Sequence, residues 1–187
     1  MEYILSDIKN HFNLSYMVSS GYIAILIMAV FFLVIVLLLP GRKLYDRFLM
    51  VFFFGFMFLV YSLTILMRGY NPEGRGIMTM PFYWLFILRR TGQTGYLWRA
   101  IENVIMLMIP AFVLGIILRS VKPVKRIIMI TLIMAVFSFT IEALQFALNV
   151  GVTEVDDLLC NTFGGLLGAA LSVCVTRFMA GTSGRRR

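Results

Sequence analysis

The sequence predicts an all-α, polytopic membrane helix bundle with five transmembrane helices and a short re-entrant or interfacial segment. Hydrophobic residues make up 60% of the 187 residues and charged residues 14%. Soluble domains contain about 45–50% apolar and about 25% charged residues. The composition therefore excludes a soluble globular domain, and its apolar content also excludes a disordered chain. We expect a single membrane domain over residues 1–187.

Five apolar runs reach the length of about 20 residues that a membrane-spanning helix needs. The predicted spans are residues 18–39, 48–67, 101–118, 127–148 and 158–179. Pro110 lies inside the third span and predicts a kink there. The apolar run 77–88 contains Pro81 and is too short to cross a bilayer. It predicts the re-entrant or interfacial segment.

The basic residues predict the orientation of the chain, because Lys and Arg are enriched in cytoplasmic loops. Seven of the 17 basic residues lie in the loops 42–47 and 119–126, and four more lie in the carboxyl-terminal part of the chain. These loops and the carboxyl end fall on the same side, whereas the acidic turn 154–157 falls on the other. We therefore expect the amino end outside and the carboxyl end in the cytoplasm.

The net charge of +8 does not indicate nucleic-acid binding. The basic residues cluster at the ends of apolar runs, which is typical of topology signals and of contacts with anionic lipids. We therefore expect membrane lipids as partners and no nucleic acid. The sequence contains no nucleotide-binding loop and no HExxH motif, so we expect no cofactor and no metal site.

Polar residues near the predicted outer ends of the helices are the candidates for a binding site. A charged side chain at a helix centre costs about 2.5–3.5 kcal/mol on insertion scales, so it usually marks a functional position. Ser138, Glu142, Gln145 and Asn149 share one face of the fourth span. The candidate residues are Glu102, Asn103, Glu142, Gln145, Asp156, Asp157 and Asn161.

The loop from residue 68 to residue 99 contains five arginines and no lysine. The guanidinium fork matches phosphate and carboxylate groups better than an ammonium does. We predict that Arg68 and Arg99 join the polar residues at an anion-binding site. The alternative is that these arginines are interfacial anchors.

Three interpretations of the buried polar residues stay open at this point. They could join helices to one another, line a polar pocket for an anionic and partly apolar molecule, or form a proton or ion pathway. No polar residues continue towards the predicted cytoplasmic side, which weakens the third interpretation. Gly164, Gly165 and Gly168 form a small-residue stripe that predicts close helix packing.

Three motifs follow one another near the carboxyl end: Glu142-x-x-Gln145, Gly151-Val-Thr-Glu154-Val-Asp156-Asp157 and Asn161-Thr-Phe-Gly164-Gly165-x-x-Gly168. Together they resemble the signature of the VanZ-like family of membrane proteins. The Met80-Pro81-Phe82 triplet and Asn103 followed by Pro110 fit the same family. Many members have an arginine just before the Gly-x-x-Glu turn, where this chain has Asn149 and Val150.

The resemblance implies a protein of the bacterial cytoplasmic membrane with a role in the cell envelope. The family is named for a protein that confers low-level resistance to the glycopeptide teicoplanin. The resemblance supplies no catalytic residues to transfer to this sequence.

Two main hypotheses for the function follow. The first is a binding or resistance protein that engages a lipid-linked cell-wall precursor or a lipoglycopeptide antibiotic in the outer leaflet. The second is a membrane enzyme acting on a polyprenyl phosphate or a lipid headgroup, with Asp156 and Asp157 holding Mg²⁺. Adjacent acidic residues before a helix are also ordinary capping residues, so we favour binding over catalysis. A small transporter is a third and weaker hypothesis, because the chain shows no internal repeat.

Overall fold

A computed structural model describes residues 43–68 and 75–184, together with Val30 and Val34. Except for these two helical valines, the predicted first span, residues 18–39, lies outside the described residues. The chain divides into two compact units, residues 1–69 and 70–187.

Between residues 43 and 68, the first unit forms one apolar helix. Helix α1, Leu44–Tyr61, continues into a π-helical turn, Ser62–Leu66. The hydroxyls of Ser62 and Thr64 each donate a hydrogen bond of 2.8 Å to the backbone carbonyl four residues back. Such back-bonding accompanies local distortion of a helix. The helix corresponds to the predicted span 48–67.

The second unit contains four helices, one short and three long. They are α2 (Tyr83–Thr91), α3 (Gly95–Ile117), α4 (Pro123–Leu148) and α5 (Val155–Gly184). Helix α5 packs against both α3 and α4. With α1, the three long helices make four that are long and apolar enough to cross a membrane. The predicted all-α helix-bundle class is confirmed, and each of these four helices overlaps one predicted span.

The helices extend beyond the apolar runs that predicted them. Helix α3 begins at Gly95 rather than at residue 101, and α4 begins at Pro123 rather than at residue 127. Hydropathy marks the part of a helix that can lie in lipid, whereas the helix itself continues through charged residues that favour helical backbone. Glu102 and Asn103, the second and third residues of the predicted span, therefore lie in the interior of α3 and not at its start.

Two short strands that the sequence did not predict join distant parts of the second unit. Strand β1, Gly76–Met78, pairs in parallel with β2, Val152–Glu154. Strand β1 lies a few residues before α2, and β2 lies directly before α5. The pairing of the two strands therefore brings the amino ends of α2 and α5 close together. The segment 77–88 contains the end of β1, a turn and the start of α2. Its re-entrant or interfacial placement stays a prediction.

The glycines of α5 lie where neighbouring helices approach most closely. A Cβ added at Gly164 would clash with the carbonyl oxygen of Val104, and one added at Gly168 would clash with that of Met108. Both glycines therefore face α3. Gly165 faces α4 instead, where an added Cβ would lie 2.6 Å from the Cβ of Met134.

Candidate functional site

Asp156, in the first turn of α5, holds the amino end of α2. Its carboxylate accepts the backbone N–H of Phe82 at 2.5 Å and that of Trp84 at 3.4 Å. Phe82, the residue that precedes α2, makes no capping hydrogen bond with its own side chain. A carboxylate at a helix amino end satisfies free N–H groups and interacts favourably with the helix dipole. The acidic motif therefore fixes the start of α2 to the start of α5.

Asp157, the next residue, faces a different helix. Asn103 Nδ2 of α3 donates a hydrogen bond to Asp157 Oδ1 at 2.6 Å. Asp157 is half-buried, and a hydrogen bond to an ionised acceptor is stronger than one between neutral groups. The two adjacent carboxylates thus join α5 to α2 and to α3.

Glu142, buried in α4, reaches the strand that precedes α5. Its Oε2 accepts the backbone N–H of Glu154 at 2.9 Å, and the hydroxyl of Thr153 donates to its backbone carbonyl at 3.3 Å. Only 6% of Glu142 is exposed. The contact connects the last turns of α4 to β2.

Asn161 forms a buried polar contact between α4 and α5. Its Nδ2 donates to Ser138 Oγ at 3.0 Å, and both residues are buried. Within the described residues, Asn161 Oδ1 has no hydrogen-bond partner. Gln145 is also buried on this side of α4, and its backbone carbonyl accepts the N–H of Val150 at 3.0 Å.

The remaining predicted site residues are not part of these contacts. Glu102 is exposed on α3, and Arg99 is exposed with its guanidinium carbon 5.6 Å from the centre of the Tyr96 ring. Arg68 is also exposed and belongs to the first unit. Its pairing with the polar residues of the second unit stays a prediction.

Helix α2 carries an open groove that the sequence analysis did not single out. The groove measures about 580 Å³ and is lined by Phe82, Leu85, Phe86, Arg89 and Arg90. The guanidinium carbon of Arg90 lies 5.6 Å from the centre of the Phe86 ring. Positions 82, 85, 86 and 89 follow the spacing of one helix face, so this pattern could have revealed the groove.

The family model VanZ/LLP1 matches residues 21–176. The chain belongs to this family. The matched range includes the motifs from Glu142 to Gly168 and the helix that carries the groove. No curated protein and no solved structure matches the chain.

In this VanZ-like chain, the acidic and amide residues of the motifs bond to separate structural elements. Among the described residues, no group of three or more His, Cys, Asp or Glu side chains is placed to hold a metal ion. Asp156 and Asp157 each accept hydrogen bonds from nitrogen donors on a different element. The arrangement is therefore suited to fixing α2, α3 and α4 around the amino end of α5.

Proposed function

We propose that this VanZ-like protein of the bacterial cytoplasmic membrane binds an anionic lipid-linked envelope component or a lipoglycopeptide in the outer leaflet. Binding there contributes to tolerance of glycopeptide antibiotics such as teicoplanin. The groove on α2 carries this proposal, because it places two arginines beside apolar side chains on one short helix. A ligand with an anionic group and an apolar chain needs both kinds of contact.

The charged part of the groove suits a phosphate or carboxylate. Arg89 and Arg90 are both exposed in the last turn of α2. An arginine can donate two parallel hydrogen bonds to such a group, whereas a lysine acts as a point charge. The rings of Tyr83 and Tyr96 contact edge to face at 5.1 Å and join α2 to the start of α3. Because the guanidinium of Arg99 lies over the Tyr96 ring, Arg99 extends the cationic surface.

The apolar part of the groove suits the chain of the ligand. Phe82 and Phe86 are 56% and 39% exposed, and both line the groove together with Leu85. Exposed aromatic rings beside cationic groups are typical of the interface between lipid tails and headgroups. The ligand therefore enters the groove from the bilayer surface.

The polar motif residues act in this proposal as the support of the groove. Asp156 fixes the start of α2, while Glu142, Gln145, Asn161, Asn103 and Asp157 hold together the helices beneath it. The predicted outward orientation of this end follows from the distribution of Lys and Arg in the loops.

Drug susceptibility of cells that express the chain tests the proposal. We expect wild type to lower teicoplanin susceptibility and Arg89→Gln/Arg90→Gln to remove this effect at an equal amount of protein in the membrane. Arg89→Lys/Arg90→Lys keeps the charge but loses the guanidinium groups that can donate two parallel hydrogen bonds, and it should retain part of the effect. Equal protection by wild type and the Gln variant would contradict the proposal, as would an absence of protection by wild type.

A further inference from the structure

Charge is distributed unevenly between the two ends of the second unit. Within residues 75–184, all acidic residues lie towards the end that holds α2: Glu102, Glu142, Glu154, Asp156 and Asp157. The opposite end holds five cations: Arg119, Lys122, Lys125, Arg126 and Arg177. About 19 residues separate Asp157 from Thr176 along α5, a rise of roughly 28 Å. The carboxylates are therefore too far away to neutralise these cations.

The amino end of α4 lies in the middle of this basic end. Helix α4 begins with Pro123, has no acidic residue in its first turn and receives no capping bond from the side chain of Lys122. The first N–H groups of a helix have no partner inside the helix, and they carry a partial positive charge. Such an end favours a phosphate or another anion.

Arg126, one turn into α4, is buried, and no carboxylate in the described part of the chain pairs with it. Only 2% of the residue is exposed. Its Nη1 donates to the carbonyl of Gly115 at 3.1 Å and its Nη2 to the hydroxyl of Thr176 at 2.9 Å. Its Nε has no hydrogen-bond partner within the described residues. Both acceptors are neutral, so no described group compensates the charge, and a buried unpaired charge is unfavourable.

We propose that the phosphate of an anionic phospholipid binds at the amino end of α4 and supplies the missing negative charge. The exposed side chains of Lys122, Lys125 and Arg177 contact the phosphate together with the first N–H groups of α4. Arg126 positions the ends of α3 and α5 around this site and adds its charge to the local field. A lipid is the source, because basic residues at the ends of apolar helices lie at headgroup level. This site is at the opposite end from the α2 groove and does not depend on the proposed function.

The test is the thermal stability of the purified protein in nanodiscs of phosphatidylcholine with and without phosphatidylglycerol. We expect phosphatidylglycerol to raise the Tm of wild type by about 2–4 °C. Lys122→Gln/Lys125→Gln/Arg177→Gln should lose most of this rise. Arg75→Gln/Arg119→Gln, which removes two exposed charges that belong neither to this site nor to the α2 groove, should keep it.

Three results would overturn the proposal. One is a wild type that gains no stability from phosphatidylglycerol, and another is a Lys122/Lys125/Arg177 variant that keeps the gain. An equal loss in the Arg75/Arg119 variant would indicate a general charge effect without a site. Added salt should also reduce the wild-type gain, because it screens exposed charges.

Discussion

The carboxylate of Asp156 accepts the backbone N–H of Phe82 at 2.5 Å, although 74 residues separate the two along the chain. The contact joins the acidic motif of α5 to the helix that carries Arg89 and Arg90. Because Asp156 is buried and capping bonds need a fixed geometry, this side chain fixes the start of α2.

Replacing Asp156 should loosen α2 selectively. We expect Asp156→Ala to lower the free energy of unfolding by about 1–2 kcal/mol, the usual effect of losing an N-cap side chain. Hydrogen exchange of the amides of α2 should accelerate, while exchange in α3 stays unchanged. Glu102→Ala, which removes an exposed carboxylate, is the control. Unchanged exchange in α2 would show that Asp156 does not hold this helix.

Glu142 offers a comparison of two substitutions at one buried position. Glu142→Gln keeps a carbonyl oxygen that can accept the N–H of Glu154, so we expect a small loss of stability. Glu142→Ala leaves that N–H without its acceptor and should cost about 1–3 kcal/mol. Thermal unfolding in detergent measures the difference. Equal Tm values for the two variants would argue against the contact with β2.

The close approach of α5 to α3 predicts an effect of a single methyl group. Gly168→Ala would place a Cβ against the carbonyl oxygen of Met108 and 2.9 Å from the Cβ of Ala111. The helices must then separate, which we expect to cost about 1–3 kcal/mol. Cys174→Ala, at an exposed position of the same helix, should change stability by less than about 0.5 kcal/mol. If both variants melt at the wild-type temperature, Gly168 does not lie at a tight contact.

The orientation can be tested with two exposed positions at opposite ends of α3. Gln93 precedes this helix and Ser120 follows it. In a chain without Cys160 and Cys174, we expect an impermeant maleimide to label Gln93→Cys in intact cells and to label Ser120→Cys only after the cells are opened. Labelling of position 120 in intact cells would reverse the predicted topology.

The sequence predicted those features of the fold that depend on local composition. Apolar runs located the four described helices that are long and apolar enough to cross a membrane, because crossing the bilayer requires about 20 consecutive apolar residues. Helix periodicity placed Ser138, Glu142, Gln145 and Asn149 on one face, and the first three are buried. Asn149 instead ends α4 in a left-handed conformation and is half-buried. The exact helix ends could not be predicted from the apolar runs, because α3 and α4 extend beyond these runs and include Arg99 and Arg126.

The sequence could not predict contacts between distant segments. The pairing of β1 with β2 and the bond from Phe82 to Asp156 depend on the packing of the whole second unit, which no local pattern encodes. Hydropathy marks residues 77–88 as one apolar element that stops before the arginines. It does not reveal that α2 continues to Thr91 and places Arg89 and Arg90 beside Phe86.

The most direct test of the proposed function is the affinity of the purified protein, in phosphatidylcholine nanodiscs, for a polyprenyl phosphate and for the uncharged polyprenol. We expect wild type to bind the phosphate and to release it chemically unchanged. Arg89→Gln/Arg90→Gln should weaken this binding about tenfold or more, because a hydrogen bond to a charged group contributes about 1.5–3 kcal/mol. Arg119→Gln, at the other end of α3, should bind as wild type does. Equal affinity for the phosphate and the polyprenol, or unchanged affinity in the Arg89/Arg90 variant, would contradict binding of an anionic ligand in the α2 groove.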